Sequence, residues 1–119
     1  MGVAIPEQYM PALQKANDYR FRVAAERRRI ASLPMAEGQE ELAKIIESED
    51  DPALHSGRIV HWLMAPQRRG EKAARRLVRD MNVQQHGARL RHLTRRQKNI
   101  LAAAVRNDYR IVERSKVAA

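Results

Sequence analysis

The chain has 119 residues, a formal net charge of +9 at pH 7, 4% aromatic residues and no cysteine. This length suits one domain with a single modest core and excludes a multi-domain enzyme. A chain without cysteine has neither disulfides nor thiolate metal sites. We find no signal-peptide pattern and no apolar run near the roughly 20 residues of a membrane span, so we expect a cytoplasmic protein.

The charge is divided unevenly along the chain. Residues 1–57 contain 7 Lys/Arg and 10 Asp/Glu, whereas residues 58–119 contain 16 Lys/Arg and 4 Asp/Glu. Such an asymmetry indicates a polyanionic partner for the second part of the chain. A well-solvated charged surface is the alternative interpretation.

The first predicted helix follows Pro11 and ends at Pro34. Its apolar stripe consists of Ala16, Tyr19, Val23, Ile30 and Leu33. The spacings of three, four and seven are those of one helix face. Its other faces are basic, with Asp18, Arg22 and Glu26 placed for ion pairs along the helix. Its arginines form either a solvated face or contacts to a ligand.

A second, shorter helix is predicted by Leu42, Ile45 and Ile46. The segment from residue 37 to residue 51 is acidic, so we expect it to point away from any nucleic acid. Its carboxylates lack the ligand spacing of a calcium loop, which argues against a metal site or acid–base catalysis. The four histidines likewise show no i,i+4 pair that would bind a metal from one helix face.

Two further helices are predicted on either side of a loop at residues 66–70. Ser56 is the expected N-cap of the first, and Pro66 ends it. Its expected core positions are Ile59, Val60, Leu63 and Met64, flanked by Trp62. The second should bury Ala74, Leu77, Val78 and Met81 and expose Lys72, Arg75, Arg76 and Arg79.

Gly70 stands at the entrance of that second helix. A glycine there lets the backbone approach a phosphate, and the free N–H groups of the first helical turn supply donors. The neighbouring cations Arg68, Arg69 and Lys72 favour this interpretation over a simple turn residue.

The segment 83–93 has no helical period and forms a basic arm. Arg89 and Arg91 alternate with Leu90 and Leu93, so the leucines should anchor the arm while the guanidinium groups project. Thr94 and Gln97 then form a capping box that opens a last helix. Its expected core positions are Ile100, Leu101, Ala104, Val105, Ile111 and Val112. Arg95 and Arg96 in its first turn are unfavourable there, which predicts that an anion compensates them.

No alternation of β-branched residues is found along the chain, so the predicted fold is all-α with about five helices. A long N-terminal basic helix (residues 1–34) would precede a helical domain (residues 35–119), the two forming a single structural unit.

From about residue 12 to residue 103, the chain resembles the actinobacterial integration host factors, which are small helical nucleoid-associated proteins. The segments ALQKANDYRFRVAAERRRIAS and ELAKIIESED are similar to the family's N-terminal Ala/Arg/Glu-rich helix and the short helix after it. The more specific match is SGRIVHWLMAPQRRGEKAARRLVRDMNV, which resembles the family's helix-two-turns-helix element around a glycine. It is followed by ARLRHLTRRQKNIL, with the arm R-L-R.

The resemblance implies sequence-tolerant binding of double-stranded DNA, with bending or compaction and, in some members, support of integrase-type recombination. It implies a nucleoid protein with no catalysis, no cofactor and no small-molecule substrate, and we expect a monomer. It also implies that the arm arginines and the glycine turn contact DNA, with further contacts from the N-terminal helix. The candidate DNA-binding residues are therefore Arg20, Arg27, Arg28, Arg68, Arg69, Gly70, Lys72, Arg89, Arg91, Arg95 and Arg96.

The chain also departs from the family's pattern. Ala88 replaces the first of two arginines in the arm, and Arg69 replaces an apolar residue before the turn glycine. Pro66 lies four residues before that glycine instead of three, and a glycine-leucine-glycine becomes His92-Leu93-Thr94. These differences indicate a divergent relative, of the kind that a phage or mobile element carries.

Three other functions are alternatives to DNA binding. A structured-RNA-binding protein is the main alternative, because glycine-hinged helical hairpins with basic arms also occur in proteins resembling a ribosomal protein of the small-subunit head. Scarce aromatic residues argue against single-strand stacking. A DNA glycosylase would need a catalytic domain for which the chain has no room. A protein adaptor would bind through Trp62 and Met64.

Overall fold

The computed structural model of the chain describes residues 9–68, 70–81 and 88–112. These residues contain six α-helices: α1 (Tyr9–Ala31), α2 (Met35–Glu47), α3 (Pro52–His55), α4 (Ile59–Leu63), α5 (Glu71–Asp80) and α6 (Arg95–Arg106). Short helical turns lie at Pro66–Arg68 and Leu90–His92. Within the described ranges, the one β-type pairing is an isolated antiparallel bridge between Arg58 and Arg89. The all-α prediction is confirmed.

α1 consists of two unlike halves. In its first half Ala16 is exposed, and the large apolar side chains of Leu13 and Phe21 are 50% and 74% exposed. The second half packs on the protein body through Val23 and the fully buried Ile30. The predicted apolar stripe therefore contacts the core only from Val23 onward, because the body that it could cover does not extend along the first three turns.

The centre of the core lies between α2 and α6, which pack against each other. Leu42 and Ile46 on α2 are fully buried, as are Leu101 and Val105 on α6. The apolar positions predicted on both helices thus face one another, and each side chain of this size contributes about 1.5–3 kcal/mol when it is fully removed from water.

The chain between α2 and α4 differs from the expectation. Ser56 does not cap a helix start: it follows α3, and its hydroxyl donates to the carbonyl of Ala53 at 2.6 Å. Asp51 caps α3 instead, accepting from the N–H of Leu54, with Pro52 at the first helical position. An acidic N-cap followed by proline strongly favours the start of a helix. An additional short helix therefore forms before the predicted one.

Trp62 lies inside the core, not beside it. Its side chain is fully buried, and its indole N–H donates to the carbonyl of Leu54 at 3.1 Å. A Cβ atom on Gly57 would lie 2.3 Å from Trp62 Nε1, so this glycine makes room for the indole. The tryptophan thereby joins α4 to α3.

The turn between α4 and α5 is made by Gln67. Its backbone is left-handed, with φ 47° and ψ 33°, and its side-chain amide donates to the carbonyl of Leu33. Gly70, predicted at the entrance of the following helix, has φ −65° and is the N-cap of α5. The hydrogen bond to Leu33 helps to hold a glutamine in a conformation that usually selects glycine.

The predicted capping box of the last helix is confirmed. The Thr94 hydroxyl accepts from the N–H of Gln97 at 3.1 Å, and the Gln97 side chain accepts from the N–H of Thr94 at 2.9 Å. The helix ends at Arg106, however, so Ile111 and Val112 are not helical core positions; Ile111 packs at the edge of the core and Val112 is 55% exposed.

Tyr109 fills the core position that was predicted for Ile111 and Val112. Asp108 and Tyr109 have φ values of 54° and 65°, which reverse the chain after α6. The Tyr109 ring is 1% exposed, and its hydroxyl donates to the carbonyl of Leu63. This aromatic residue therefore closes the core between α4 and α6. None of the described helices combines the length and apolar character needed to cross a lipid bilayer.

Candidate nucleic-acid interface

α5 has one buried and one cationic side, as predicted. Ala74 and Leu77 are fully buried, and Met81 is 5% exposed. The cations of the helix all lie at exposed positions: Lys72, Arg75, Arg76 and Arg79. Arg75 is paired with Glu71, with Nε 2.6 Å from Oε1. The packing of the apolar side fixes the direction in which the remaining cations point.

Gly70 is exposed at the entrance of α5, and a Cβ atom there would meet nothing within 4 Å. Its φ of −65° and ψ of 149° are open to any residue. Neither packing nor backbone strain within the described protein therefore requires glycine here. With no side chain at the N-cap, the first-turn N–H groups of α5 are left without the usual capping acceptor.

The arm is anchored to the segment before α4. Leu90 is fully buried and Leu93 is 7% exposed, which confirms that the leucines anchor it. The N–H of Ile59 donates to the carbonyl of Ala88 at 2.9 Å, and the N–H of Leu90 donates to the carbonyl of Gly57 at 3.1 Å. The arm residues 88–90 therefore lie antiparallel to residues 57–59.

This pairing places Arg58 directly opposite Arg89. The two hydrogen bonds of the bridge are made by the flanking residues, so the arginines form a non-hydrogen-bonded pair, in which Cα atoms are typically about 4.5 Å apart and side chains leave the same face. Like charges placed directly opposite each other are destabilising. The bridge thus concentrates positive charge at one point of the surface.

The two arginines of the arm differ in environment. Arg91 is exposed, and among the described residues no ion pair involves it. Arg89 is half-buried, and its guanidinium donates to the carbonyl of Ser56. The expectation that both groups project freely is therefore wrong for Arg89, because the bridge draws its side chain over the end of α3.

The arginines at the start of α6 are compensated within the protein. Arg95 pairs with Glu49 at 3.1 Å and donates to the carbonyl of Glu47 at 3.4 Å. The hypothesis that an external anion must compensate this helix start is wrong for Arg95, since the segment after α2 brings a carboxylate to it. Arg96 is exposed.

On α1 the three candidate arginines are divided between two environments. Arg20 and Arg28 are exposed, whereas Arg27 is half-buried and its buried Nε has no hydrogen-bond partner within the described part of the chain. The predicted pairing of Asp18 with Arg22 is wrong, because Arg22 reaches Asp51 across the fold.

The acidic segment neutralises several arginines of α1 and α6. Arg106 pairs with Glu40 at 2.7 Å and also with Glu47. Its hydrogen bond to Glu40 holds the pKa of that carboxyl below its usual range, and the same contact raises the pKa of Arg106. Arg29 pairs with Glu26 at 3.0 Å and with Glu41 at 3.4 Å, and its hydrogen bond to Glu26 raises its pKa.

Two sets of cations can therefore be distinguished. The paired cations, each in an ion pair with an acidic residue between positions 37 and 51, are Arg22, Arg29, Arg95 and Arg106. The open cations are exposed and form no ion pair among the described residues: Arg58, Lys72, Arg76, Arg79 and Arg91. Arg69 and the side chain of Arg68 lie outside the described residues.

Arg58 and His61 are two basic residues near the candidate interface that were not predicted from the sequence. His61 is an exposed residue of α4, and its pKa is lowered by partial burial and by the charges of Arg27, Arg58 and Arg75. The charges of α1, of α5 and of the residue before α4 thus act together on His61. One signal was available: Arg58 and His61 are three residues apart, which places them on one side of a helix start.

No three His, Asp or Glu side chains in the described ranges come together in a way that could hold a metal ion. That the chain binds no metal and no cofactor stays a prediction from the sequence. Comparisons with protein-family models, with curated protein sequences and with solved structures find no match for this chain.

Proposed function

We propose that this protein binds double-stranded DNA with little sequence preference and acts as an architectural, nucleoid-associated protein. The main observation behind the proposal is the set of open cations: no carboxylate of the described residues pairs with them, whereas the paired cations are neutralised. If the arginines served only solubility, there would be no reason for the fold to pair some of them with carboxylates and leave others open. The resemblance to actinobacterial integration host factors supports the same function.

The binding would work mainly through backbone phosphates. α5 contributes Lys72, Arg76 and Arg79 along one exposed side, and its first turn offers N–H groups beside Gly70. An exposed helix N-terminus without a capping side chain suits a phosphate oxygen. Each neutralised phosphate releases condensed counterions, so affinity should fall steeply with salt.

The arm would supply the groove contact. Arg91 is exposed on a segment that Leu90 and Leu93 fix in place, so its guanidinium is presented at low entropic cost. An arginine entering a narrowed minor groove favours deformable or A·T-rich sites without reading single bases. Arg89 would contribute charge and hold the arm through its bond to Ser56.

The other functions receive less support. Trp62 is fully buried, so it offers neither a stacking surface for single-stranded RNA nor a contact for a partner protein. Met64 is half-buried against the core. We propose no enzymatic activity. Structured RNA remains the alternative ligand, because its backbone would be attracted by the same cations.

The proposal is tested by fluorescence anisotropy of a labelled duplex of about 30 base pairs at several salt concentrations. We expect tight binding. The logarithm of the association constant should fall linearly with the logarithm of the salt concentration, with a slope of about −4.5 to −7 for five to eight phosphate contacts. Any unlabelled duplex DNA should displace the probe, whatever its sequence.

Two results would overturn the proposal. One is failure to bind duplex DNA even at low salt; the other is displacement by double-stranded RNA at a much lower concentration than by DNA of equal length. Arg91→Ala is the variant of choice for the arm, because Arg89→Ala would also remove the bond to Ser56. The matched control is Arg110→Ala, an exposed arginine outside the proposed interface.

A further inference from the structure

The bridge between the arm and the segment before α4 fixes the direction of two arginine side chains. Its backbone hydrogen bonds are 2.9 and 3.1 Å long and place Arg58 directly opposite Arg89. Both arginines have an extended backbone, in which successive residues point to opposite sides. The residues on either side of each arginine are buried: Gly57, Ile59, Ala88 and Leu90. Both arginine side chains therefore leave the bridge on its outer side.

Arg89 is held at this outer side by a hydrogen bond. Its guanidinium donates to the carbonyl of Ser56, two residues before Arg58 in the chain. The contact keeps the guanidinium beside the segment that carries Arg58. A guanidinium has five N–H donors, so Arg89 retains donors for a ligand.

The protein does not compensate this pair of charges within the part that the structure describes. No carboxylate there forms an ion pair with Arg58 or Arg89. Like charges directly opposite each other on paired segments are destabilising. The buried neighbours of both arginines anchor the bridge in the core, so the backbone cannot turn either arginine to another side. Proteins keep local conflicts of this kind mainly at functional sites, and an anion between the two guanidinium groups would remove the repulsion.

We propose that Arg58 and Arg89 together bind one backbone phosphate of duplex DNA, with Arg89 held in place by Ser56 and Arg58 completing the site. Guanidinium groups suit this role, because their N–H donors match the oxygens of a phosphate in pairs. The inference rests on the proposed function for the identity of the ligand. It adds Arg58, which the resemblance does not assign to DNA, and it explains why the fold keeps two like charges opposite each other.

The first experiment measures duplex affinity at about 0.1 M salt, where Arg58→Gln should weaken binding about 5- to 10-fold. The control is Arg110→Gln, which makes the same change of charge at an exposed arginine after α6 and should change the affinity by less than about twofold. Arg58→Gln should also raise the melting temperature, because it removes the repulsion. Equal affinities of the two variants, or a loss of stability in Arg58→Gln, would overturn the proposal.

A double-mutant cycle tests whether the two arginines share one phosphate. Arg58→Gln and Arg89→Gln in one chain should lose less affinity than the product of the two single losses, because the second change acts on a site that is already broken. Independent sites would give losses that multiply to within about twofold, and that result would assign the arginines to separate contacts.

A measurement with pyrophosphate separates this inference from the proposed function. At about 10 mM, with ionic strength matched by chloride in the reference, pyrophosphate should raise the melting temperature of the unmodified protein by about 3–5 °C and that of Arg58→Gln clearly less. If it does so but duplex DNA does not bind, the anion subsite stands and the DNA function fails. If duplex DNA binds the unmodified protein and Arg58→Gln equally, the subsite is wrong and the DNA function stands.

Discussion

The two sets of arginines differ in what surrounds them, although their side chains are the same. The paired cations meet carboxylates of the acidic segment, as Arg106 meets Glu40 and Glu47. The open cations, such as Arg76 on α5, meet none among the described residues. The net charge of a region therefore says little about which of its cations can bind a ligand. What matters is where the fold places the opposite charge.

The acidic segment therefore has a role that was not expected of it. It was predicted to avoid nucleic acid, and that remains a prediction. The structure shows in addition that it neutralises arginines of α1 and α6, including Arg95, a residue first assigned to DNA. Exposed ion pairs of this kind contribute little to stability individually. Their larger consequence is to remove those arginines from competition for an anion.

The largest effect is expected from removing open cations. The triple variant Lys72→Gln, Arg76→Gln, Arg79→Gln should lower duplex affinity by about 100- to 1000-fold near 0.1 M salt and reduce the salt slope by about 2.7. The control is Arg22→Gln, Arg29→Gln, Arg106→Gln, which changes the net charge equally but alters only paired cations. Equal losses in the two triple variants would mean that overall charge alone drives binding.

A smaller effect is expected at the entrance of α5. Gly70→Asp supplies a capping carboxylate, so α5 should gain up to about 1 kcal/mol of stability. The same charge repels phosphate, so duplex affinity should fall by about 10-fold or more. Thermal unfolding and anisotropy measure the two effects separately. Gly70→Asn, which caps without charge, should keep most of the affinity; an equal loss with Asn would assign the effect to size.

Two smaller effects concern the free energy of unfolding, which two arginine variants should change in opposite directions. Arg58→Gln removes the like charge opposite Arg89 and should stabilise the protein by about 0.2–1 kcal/mol. Arg106→Gln removes a partner of Glu40 and Glu47 and should destabilise it. Urea unfolding at low and high salt checks both, and added salt should shrink both differences. Destabilisation by both variants would show that the bridge tolerates its two arginines without cost.

The smallest effect is the pH dependence of the paired set. Because Arg106 lowers the pKa of Glu40 in the folded protein, their contact contributes stability above the ordinary carboxyl value of 4.5. That contribution is lost as the pH falls from there through the lowered pKa. Glu40→Gln should therefore show a smaller drop in melting temperature on acidification than the unmodified protein. An unchanged drop would place the acid sensitivity in other carboxylates.

The parts of the fold that could be predicted are those that local sequence controls. The apolar spacing of Leu42, Ile45 and Ile46 located α2, and Thr94 with Gln97 located the start of α6. Trp62 was predicted only to flank the core, because the sequence does not show that Gly57 makes room for its indole. Tyr109 was missed because the left-handed backbone after α6 and the bond from its hydroxyl to Leu63, far away in the chain, have no local sequence signal.

The candidate site was predictable only in part, for a related reason. The helical spacing of α5 predicted that its cations lie on the exposed side, and they are exposed. The pairing of Arg95 with Glu49 and the bridge between Arg58 and Arg89 join residues far apart in the chain. Such long-range contacts leave no periodic signal in a single sequence. The DNA-binding roles of these residues stay predictions.

The helical class, the starts of α5 and α6 and the uneven charge could be predicted from the sequence, because propensity, capping and periodicity act within a few residues. Which arginines are paired with a carboxylate depends on the tertiary structure, because the partners of Arg22, Arg95 and Arg106 lie far away in the chain. Electrostatic interactions depend on distance in space, and folding sets those distances.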